Sequence, residues 1–472
     1  MDNLVAILYI IAFSMFIYGL MGLTGPKTAV RGNYIAGAGM ALAVVATLIQ
    51  IRDTHYWWII IVGLVVGTAL GVPPALRTKM TAMPQLVAMF NGVGGGTVAL
   101  IAWSEFITSS GFTNLHEVPT VHIVIASLFA AIIGSISFWG SVIAFGKLQE
   151  VIPGRSIGFG KLQQPVNLLL FIAAIAFCVV IGVGVMNDDA VSQWWIIGVL
   201  VAAGILGLMM VLPIGGADMP VVISLLNAMT GLSAAAAGLA LDNTAMIVAG
   251  MIVGASGTIL TNLMAKAMNR SIISVIAGGF GGGSGGEAAE AGPGGGTVKS
   301  TSAADAAIQM AYANQVIVVP GYGMAVAQAQ HTVKEMAEML EAKGVEVKYA
   351  IHPVAGRMPG HMNVLLAEAE VSYDALKEMD DINGEFSRTD VVLVIGANDV
   401  TNPAARTDPS SPIHGMPVLN VDQAKSVIVL KRSMSSGFAG IDNPLFTADQ
   451  TAMLFGDAKK SVSGISEELK EL

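Results

Sequence analysis

Long apolar runs separated by short polar connections fill the first 265 residues of the chain. A helix that spans a bilayer needs about 20 mostly apolar residues, and each of these runs approaches or exceeds that length. The segments that qualify are 4–22, 33–51, 57–75, 82–103, 120–144, 164–186, 193–213, 219–240 and 244–264. The pattern therefore predicts a multi-pass α-helical membrane domain of nine spans over residues 1–265.

From residue 315 onward the pattern becomes an alternation of strands and helices. It predicts a strand at 315–319, a helix at about 323–343, a strand at 345–351, helices to about 387, and strands at 391–396, 416–420 and 426–431, after a helix-like stretch at 301–313. Such alternation is typical of a Rossmann-like doubly wound parallel sheet, which binds ligands at the carboxyl ends of its strands. We therefore predict a cofactor-binding α/β domain over residues 306–472.

A glycine-rich segment joins the two parts. Residues 278–297 are dominated by glycine, with few apolar side chains to bury. Such a segment cannot offset its own conformational entropy and is expected to act as a flexible tether. We therefore predict a linker over residues 266–305 that lets the C-terminal domain move relative to the membrane domain.

The basic residues of the connections fall almost entirely on one side of the predicted bundle. Arg52 is alone on the other side, opposite Lys27, Arg31, Arg77, Lys79, Lys147, Arg155, Lys161, Lys266 and Arg270. The positive-inside rule then places the N-terminus outside and residue 266 onward in the cytoplasm. We therefore expect a cytosolic cofactor domain and a membrane domain surrounded by lipid.

Composition excludes several classes of function. The net charge of −9 argues against a nucleic-acid partner, which would require a basic face. Cys178 is the single cysteine of the chain, so neither an intrachain disulfide nor a thiolate metal cluster is possible. We expect no metal site.

Three polar residues stand out in the apolar spans. Asn91 and Asn227 each lie mid-span at a similar distance after a Met-Pro pair, and Asp218 precedes the eighth span. Polar groups inside a membrane are costly unless they are paired or hydrated, and they often mark an ion path. A purely structural hydrogen bond between helices is the alternative for each asparagine, and helix capping is the alternative for Asp218.

A glycine turn between the first predicted strand and helix of the C-terminal domain suggests a dinucleotide site. It consists of Gly321, Tyr322, Gly323, Met324, Ala325 and Val326, a GxGxx[small] variant. Glycines permit the tight turn and a close approach of phosphate, and a helix N-terminus favours anions. Alone the motif is weak, but its place between a strand and a helix strengthens it.

The charge pattern favours NADP(H) over NAD(H). A site for NAD(H) normally carries Asp or Glu at the end of the second strand, and here that strand ends at His352 without a carboxylate. Lys431, Arg432 and Ser433 are suited to a 2′-phosphate, although they could simply be solvated. Arg357 lies among glycines where it could meet a pyrophosphate, and Asn398 and Asp399 follow another predicted buried strand.

Read together, these motifs resemble the beta subunit of proton-translocating NAD(P) transhydrogenase. The resemblance rests on Gly-Tyr-Gly-Met-Ala-Val-Ala-Gln-Ala-Gln (321–330), His-Pro-Val-Ala-Gly-Arg-Met-Pro-Gly-His-Met-Asn (352–363), Gly-Ala-Asn-Asp (396–399), Lys-Arg-Ser-Met (431–434) and Ile-Gly-Gly-Ala-Asp-Met-Pro (214–220). It covers essentially the whole chain except the glycine-rich tether.

The resemblance implies that this subunit holds NADP(H) while a partner alpha subunit holds NAD(H). It also implies direct hydride transfer between the two nicotinamides, proton flow inward through the helices, a dimer of alpha–beta units and a bacterial cytoplasmic (inner) membrane. Asp218 would link proton occupancy to movement of the cytosolic domain, and the stretches 400–415 and 432–442 would be mobile lids. The implied NADP(H) contacts are Tyr322, Val354, Ala355, Gly356, Arg357, Met358, Pro359, Gly396, Ala397, Asn398, Asp399, Val400, Gly415, Met416, Lys431, Arg432, Ser433, Met434, Ser435, Ser436, Gly437, Phe438, Asp457 and Ala458.

Two positions depart from the pattern of the family. Many relatives carry histidine where this chain has Asn91, and Phe438 stands where tyrosine is common. Asparagine does not titrate, so Asn91 can orient water or a partner group but cannot itself carry a proton. We therefore expect the titrating group to come from a helix of the partner subunit, with Asn91 and Asn227 lining the path.

Two other classes of function compete with a transhydrogenase subunit. One is a transporter or channel whose nucleotide domain only senses the redox state of its cofactor. The other is a redox protein with a membrane anchor, which is disfavoured because one span would suffice for anchoring.

Overall fold

The computed structural model describes residues 2–23, 25–112, 120–153, 156–187, 190–215, 218–268, 272, 298–357, 360–411, 413–435, 437, 439 and 441–472. The N-terminal part and the C-terminal domain are described separately below.

Within the described residues of the N-terminal part, nine helices are long and apolar enough to cross a membrane. They are α1 (Asp2–Gly22), α2 (Pro26–Gln50), α3 (Trp57–Arg77), α4 (Met83–Thr108), α5 (Thr120–Leu148), α6 (Gln163–Met186), α7 (Gln193–Val211), α8 (Met219–Ala240) and α9 (Thr244–Ala267). All nine predicted spans are therefore confirmed as helices, with ends that shift by up to seven residues.

Small residues allow the backbones of neighbouring helices to meet. Helices α8 and α9 approach so closely that a methyl group on Gly250 would lie 2.6 Å from the carbonyl oxygen of Gly231. Close approach of this kind is the usual basis of helix association in lipid, where apolar burial provides little drive. The small-residue segments of these spans therefore serve packing.

One apolar core of this part lies mainly among α4, α5, α6 and α7. Phe106 and Phe112 pack edge to face within it, with ring centroids 5.3 Å apart. Helix α3 contrasts with this core, since none of its residues is buried. The packed part of the bundle therefore centres on α5, which contacts both α4 and α7.

Lys147 lies in a different environment from the one its position in the sequence suggested. The sequence pattern places it in a loop, yet it belongs to the last turn of α5 and its side chain is buried. Its Nζ donates hydrogen bonds to the carbonyl oxygens of Leu212, at 2.5 Å, and Ile214, at 2.7 Å, beyond the end of α7. Carbonyls at a helix C-terminus lack intrahelical partners and carry partial negative charge, so a cation there is favourable.

The described residues of the C-terminal domain form one six-stranded sheet with the order β3-β2-β1-β4-β5-β6, and every pairing is parallel. The strands are β1 (Gln315–Pro320), β2 (Glu346–Ile351), β3 (Leu376–Glu378), β4 (Val391–Ile395), β5 (Ser426–Lys431) and β6 (Thr451–Phe455). This is the doubly wound order of the Rossmann fold, in which the order of the strands reverses between β1 and β4. The predicted fold class is confirmed.

Helices pack on the sheet and bury its central strands completely. They are α10 (Ala303–Ala311), α11 (Tyr322–Val326), α12 (Gln330–Ala342), α13 (His361–Glu368), α14 (Met379–Ile382), α15 (Ala404–Thr407) and α16 (Ala458–Glu471). Every residue of β1 and β4 is buried, as expected of parallel strands covered on both faces. The core therefore follows from the continuous apolar runs in the sequence.

Three details of the predicted secondary structure are wrong. Residues 416–420 form no strand, because Pro417 has no N–H to donate and Leu419 donates instead to the carbonyl of Val400. The helix predicted over 323–343 is two helices, separated by Gln328 in a left-handed conformation with φ of 50°. The sequence prediction also missed β3 and β6, so β5, which delivers Lys431, is not the last strand.

The domain boundaries stay a prediction. Most of the predicted linker 266–305 lies outside the described residues. At its end, Met453 in β6 donates to the carbonyl of Lys299 at 2.7 Å, and Thr301 donates to the carbonyl of Met453 at 2.9 Å. The chain thus enters the domain beside the edge strand β6.

The close contact between α8 and α9 leads to a testable prediction about stability. Replacing Gly250 by valine should destabilise the protein by about 1–3 kcal/mol, since the added carbons collide with the backbone of α8. Thermal unfolding of the detergent-solubilised chain measures the effect. Gly182→Val on α6 is the matched control, because a Cβ at Gly182 meets nothing within 4 Å. Equal melting temperatures for the two variants would contradict this account of the packing.

Candidate functional site

The glycine turn after β1 packs against the loop after β4 at the switch point of the sheet. Gly321 donates its N–H to the carbonyl of Ile395 at 2.9 Å, and Gly323 donates to the carbonyl of Gly396 at 3.0 Å. A methyl group on Gly323 would lie 2.7 Å from the Cα of Gly396, which itself has φ of 65°. These glycines therefore let two loops of the site join, in addition to forming the tight turn.

The helix that follows the glycine turn is shorter than predicted. Helix α11 has five residues and contains Tyr322, Gly323, Met324, Ala325 and Val326. Met324 and Ala325 are buried, while Tyr322 and Gly323 are half-buried. A single turn sums few peptide dipoles, so the expected contribution of a helix dipole to anion binding is small here.

The loop after β2 carries Arg357 toward the glycine turn. The guanidinium carbon of Arg357 lies 4.3 Å from the centroid of the Tyr322 ring, a cation–π contact. The ring of His361 also lies beside Tyr322, with ring centroids 6.4 Å apart. The Nδ1 of His361 accepts the backbone N–H of Arg357 at 3.0 Å. The two sequence motifs that contain Tyr322 and Arg357 are therefore brought together.

His352 joins this loop to the segment that contains Gly415 and Met416. Its Nδ1 accepts the N–H of Val354 at 3.2 Å, and its Nε2 lies 2.9 Å from the carbonyl oxygen of Pro417. Since Nδ1 is an acceptor, the proton of the neutral ring is on Nε2. Met416 belongs to a small apolar cluster with Ala405 and Val418, against which Val354 and Val400 pack.

The loop after β4 is tied by side chains to the segment that follows β5. Asp399 Oδ2 accepts the N–H of Ala439 at 3.0 Å, and Asn443 Nδ2 donates to Asn398 Oδ1 at 3.2 Å. Asn402 Nδ2 donates to the carbonyl of Asp442 at 3.2 Å. A Cβ on Gly437 would collide with Asp399 Oδ1, at 2.5 Å. The two segments expected to be mobile lids are therefore hydrogen-bonded to each other.

Asn398 keeps one donor unused in this arrangement. Its Nδ2 is buried and has no hydrogen-bond partner among the described residues, whereas its backbone carbonyl and its Oδ1 both accept hydrogen bonds from Asn443 Nδ2. An unsatisfied buried donor is costly, and at the carboxyl edge of a parallel sheet it is suited to an acceptor on a ligand.

Lys431 and Arg432 have different environments at the end of β5. Lys431 is half-buried, donates to the carbonyl of Ser435 at 2.5 Å and lies 4.7 Å from the centroid of the Phe446 ring. Burial lowers its pKa, although Asp399 and Asp442 oppose that shift. Arg432 is exposed and makes no hydrogen bond or ion pair with a described residue. Lys431 therefore shapes the turn, and Arg432 is the cation available to an anion.

Some of the remaining expected cofactor contacts lie at the carboxyl edge or at the start of α16, and others lie outside the described residues. Exposed or half-buried residues at the carboxyl edge include Ser433, Met434 and Ser435, and the Oγ atoms of the two serines lie 2.9 Å apart. Asp457 caps α16 by accepting the N–H of Lys460, next to buried Ala458. Four expected contacts lie outside the described residues: Met358, Pro359, Ser436 and Phe438.

In the N-terminal part, Asn91 belongs to a buried polar cluster that joins α4, α5 and α8. Its Nδ2 donates to Ser141 Oγ at 2.9 Å and to Ser137 Oγ at 3.3 Å. Ser137 Oγ in turn lies 2.5 Å from Thr230 Oγ1 and 3.1 Å from the carbonyl oxygen of Leu226. Asn91 Oδ1 is buried without a hydrogen-bond partner among the described residues. We call these four side chains the Asn91 cluster.

The other two expected membrane residues are not part of that cluster. Asn227 is half-buried in α8 and its side chain makes no hydrogen bond with a described residue. Asp218 is half-buried and immediately precedes α8. The cluster instead reaches α8 through Thr230 and the carbonyl of Leu226, one residue before Asn227.

Sequence reasoning missed several of these positions. Ser137, Ser141 and Thr230 are common residues in spans, and only tertiary structure places them around Asn91. His352 and His361 could have been found, because they flank a glycine–arginine loop at a spacing of nine residues. From the sequence of this motif, a charged contact to the dinucleotide is predicted only for Arg357.

Fold and site together define a multi-pass membrane protein that carries a Rossmann-type domain. The family model described as NAD(P) transhydrogenase beta subunit matches residues 5–468. Two similar relatives, one from Rhodospirillum rubrum and one from a designated strain of that species, are both named NAD(P) transhydrogenase subunit beta. Each is 48% identical over 460 residues, which cover 97% of this chain and 97% of the relative.

The chain therefore belongs to the NAD(P) transhydrogenase beta subunit family. Membership makes it a subunit of an enzyme that uses NAD(P), and the designation as a beta subunit implies an alpha subunit as partner. The expected family resemblance is confirmed over nearly the whole chain.

The two buried histidines predict how stability of the C-terminal domain depends on pH. Desolvation lowers the pKa of His352 from 6.5 to about 4, and burial followed by the charge of Arg357 does the same to His361. In the unfolded chain both histidines become protonated as the pH falls below about 6.5. In the folded domain they remain neutral until the pH falls to about 4. Stability from these groups is thus present above pH 6.5 and falls across that window, by roughly 3 kcal/mol for each histidine.

Urea unfolding followed by pulse proteolysis of the C-terminal domain, between pH 7 and pH 4, measures this loss. A variant with both His352→Asn and His361→Asn should show a flatter dependence on pH. An equally steep fall in the double variant would show that other groups govern acid sensitivity.

Proposed function

We propose that this chain binds NADP(H) at the carboxyl edge of its sheet and acts in hydride transfer between NADP(H) and NAD(H) held by an alpha subunit, coupled to proton translocation through its helices. The observation that carries the choice of nucleotide is Arg432, an exposed guanidinium at the end of β5. A guanidinium binds phosphate through paired hydrogen bonds. The absence of a carboxylate at the end of β2 supports the same choice.

The residues of this edge fit a phosphorylated dinucleotide. Arg432, with the hydroxyls of Ser433 and Ser435, would hold the 2′-phosphate, and Arg357 would meet the pyrophosphate. The free donor of Asn398 supplies a further hydrogen bond. Bound NADP(H) supplies a nicotinamide that gives or accepts hydride. The hydrogen bond from Asn402 to the carbonyl of Asp442 joins the two expected lids in one arrangement, in which they would enclose the cofactor.

The Asn91 cluster supports a proton path between α4, α5 and α8. Hydroxyls can each donate or accept, so Ser137 and Thr230 can reverse the direction of their hydrogen bond. Asn91 does not titrate, but its unsatisfied Oδ1 can accept from water or from a titrating group on a helix of the alpha subunit. Asn227 would line the path, and Asp218 would couple proton occupancy to movement of the nucleotide domain.

The proposed setting is a bacterial cytoplasmic (inner) membrane, with the N-terminus outside and the nucleotide domain in the cytosol. The distribution of Lys and Arg among the connections supports this orientation. Lipid would surround the helices, the glycine-rich linker 266–305 would join domains 1–265 and 306–472, and two alpha–beta units would form a dimer.

A sensor without chemistry is the second candidate, and the partner subunit distinguishes it. Membranes that contain both subunits should reduce an NADP analogue with NADH, and membranes with this chain alone should not. Binding of NADP without reduction in either preparation would favour a sensor.

Replacing Arg432 by alanine tests the choice of nucleotide. Loss of a charge-assisted hydrogen bond should raise the Kd for NADP(H) about ten- to a hundredfold, with little change in the weak binding of NAD(H). Equilibrium dialysis of the full chain against both nucleotides measures the ratio. Arg388→Ala is the control, since this exposed arginine lies before β4 at the opposite edge of the sheet. An unchanged preference in the Arg432 variant would refute the assignment.

Replacing Asn91 by alanine tests the proton path. The variant loses both hydrogen bonds to Ser137 and Ser141 and should lower proton-coupled hydride exchange about tenfold or more. The measurement is proton uptake by vesicles that contain both subunits, together with hydride exchange. Asn33→Ala is the matched control, because Asn33 is an exposed residue of α2. Full coupling in the Asn91 variant would eliminate its proposed role.

A further inference from the structure

The backbone of the 354–357 loop is held by a histidine at each end. His352 Nδ1 accepts the N–H of Val354 at 3.2 Å, and His361 Nδ1 accepts the N–H of Arg357 at 3.0 Å. Both rings are almost completely buried. A loop would ordinarily give such N–H groups to water, so two side-chain acceptors restrict this loop to one conformation.

Both histidines must be neutral to do this. A protonated imidazole donates from both nitrogens and cannot accept a backbone N–H. Burial keeps both rings uncharged at neutral pH by lowering each pKa to about 4. In each ring the acceptor role of Nδ1 therefore places the proton on Nε2.

His361 buries a polar nitrogen without a hydrogen-bond partner, a cost in stability that packing alone does not explain. Its Nε2 is buried and has no hydrogen-bond partner among the described residues, whereas Nε2 of His352 reaches the carbonyl of Pro417. An aliphatic side chain would fill the same space without burying an unsatisfied donor. What histidine provides here, and leucine would not, is the acceptor for Arg357.

The surroundings of His361 are arranged for a close approach of ring to loop. Gly356 has φ of 108°, and a Cβ there would lie 2.5 Å from His361 Nδ1. Tyr322 lies beside the His361 ring and directly beneath the guanidinium of Arg357, at 4.3 Å. One histidine thus contacts the backbone of Arg357 and the aromatic ring that supports its side chain.

We propose that His361, assisted by His352, is the positioning residue of Arg357, and that this pair of neutral acceptors sets the geometry in which Arg357 binds the anionic part of the dinucleotide. The inference rests on the proposed NADP(H) site and adds to it two residues that do not themselves touch the cofactor. The preformed loop lowers the entropic cost of ordering Arg357 on binding.

The test compares His361→Leu, His361→Asn, Arg357→Ala and the double variant His361→Leu/Arg357→Ala in the full chain. Leucine should raise the Kd for NADP(H) about tenfold, and the double variant should be no weaker than Arg357→Ala alone, since both changes remove one function. Asparagine can present Oδ1 in place of Nδ1 and should retain most of the affinity. His331→Leu, at an exposed residue of α12, is the control.

Additive losses in the double variant, or an asparagine variant as weak as the leucine variant, would overturn the proposal. If leucine prevents folding, Gly356→Ala displaces the ring by another route and should likewise weaken binding, while unchanged affinity would contradict the proposal.

Hydrogen exchange in the absence of nucleotide separates this proposal from the proposed function. The amides of the 354–357 loop should be protected in the original chain and exposed to exchange in His361→Leu. Protection that persists in the variant would refute the positioning role. If the original chain failed to bind NADP(H) while the protection behaved as expected, the proposed function would fail and the loop geometry would stand.

Discussion

The site depends on contact between two backbones at the switch point of the sheet. Gly323 donates to the carbonyl of Gly396 at 3.0 Å, at a separation that leaves no room for a Cβ on either residue. This contact fixes the starts of the loops that carry Tyr322 and Asn398. The glycine motif after β1 is usually explained by phosphate approach, and here it also joins the loops of β1 and β4.

The N-terminal part is subject to a second constraint, the satisfaction of polar groups that are buried in the membrane. Backbone and side-chain polar groups buried away from water must be satisfied within the protein. Lys147 meets this need at the end of α7, and the Asn91 cluster meets it between α4, α5 and α8. The cluster leaves one acceptor unused, Asn91 Oδ1. Because asparagine does not titrate, the proposed proton path requires a titrating group from outside this cluster, and a helix of the alpha subunit would supply it.

Much of this fold was predictable because it follows from apolar patterning. The spans are long uninterrupted runs, and β1, β4 and β5 are short buried runs that allow few alternatives. Prediction failed where local pattern and tertiary contact disagree. The apolar residues around Pro417 resemble a strand but pack in a small cluster, and the three-residue β3 is too short to carry a pattern.

The site was only partly predictable for a related reason. The charges of Arg357, Lys431 and Arg432 are visible in the sequence, but the sequence does not show which of them is engaged within the protein and which is available to a ligand. Only the structure shows that Lys431 is committed to the carbonyl of Ser435. Likewise, histidines in a sequence suggest ligands or proton carriers, whereas burial converts His352 and His361 into neutral acceptors for the backbone.

The central claim is that the carboxyl edge of this sheet selects a nucleotide with an extra phosphate. Isothermal titration calorimetry of the full chain in lipid nanodiscs, with NADP and NAD in separate titrations, tests it most directly. The account predicts at least tenfold tighter binding of NADP, equivalent to about 1.4 kcal/mol. Equal affinity for the two nucleotides would contradict it.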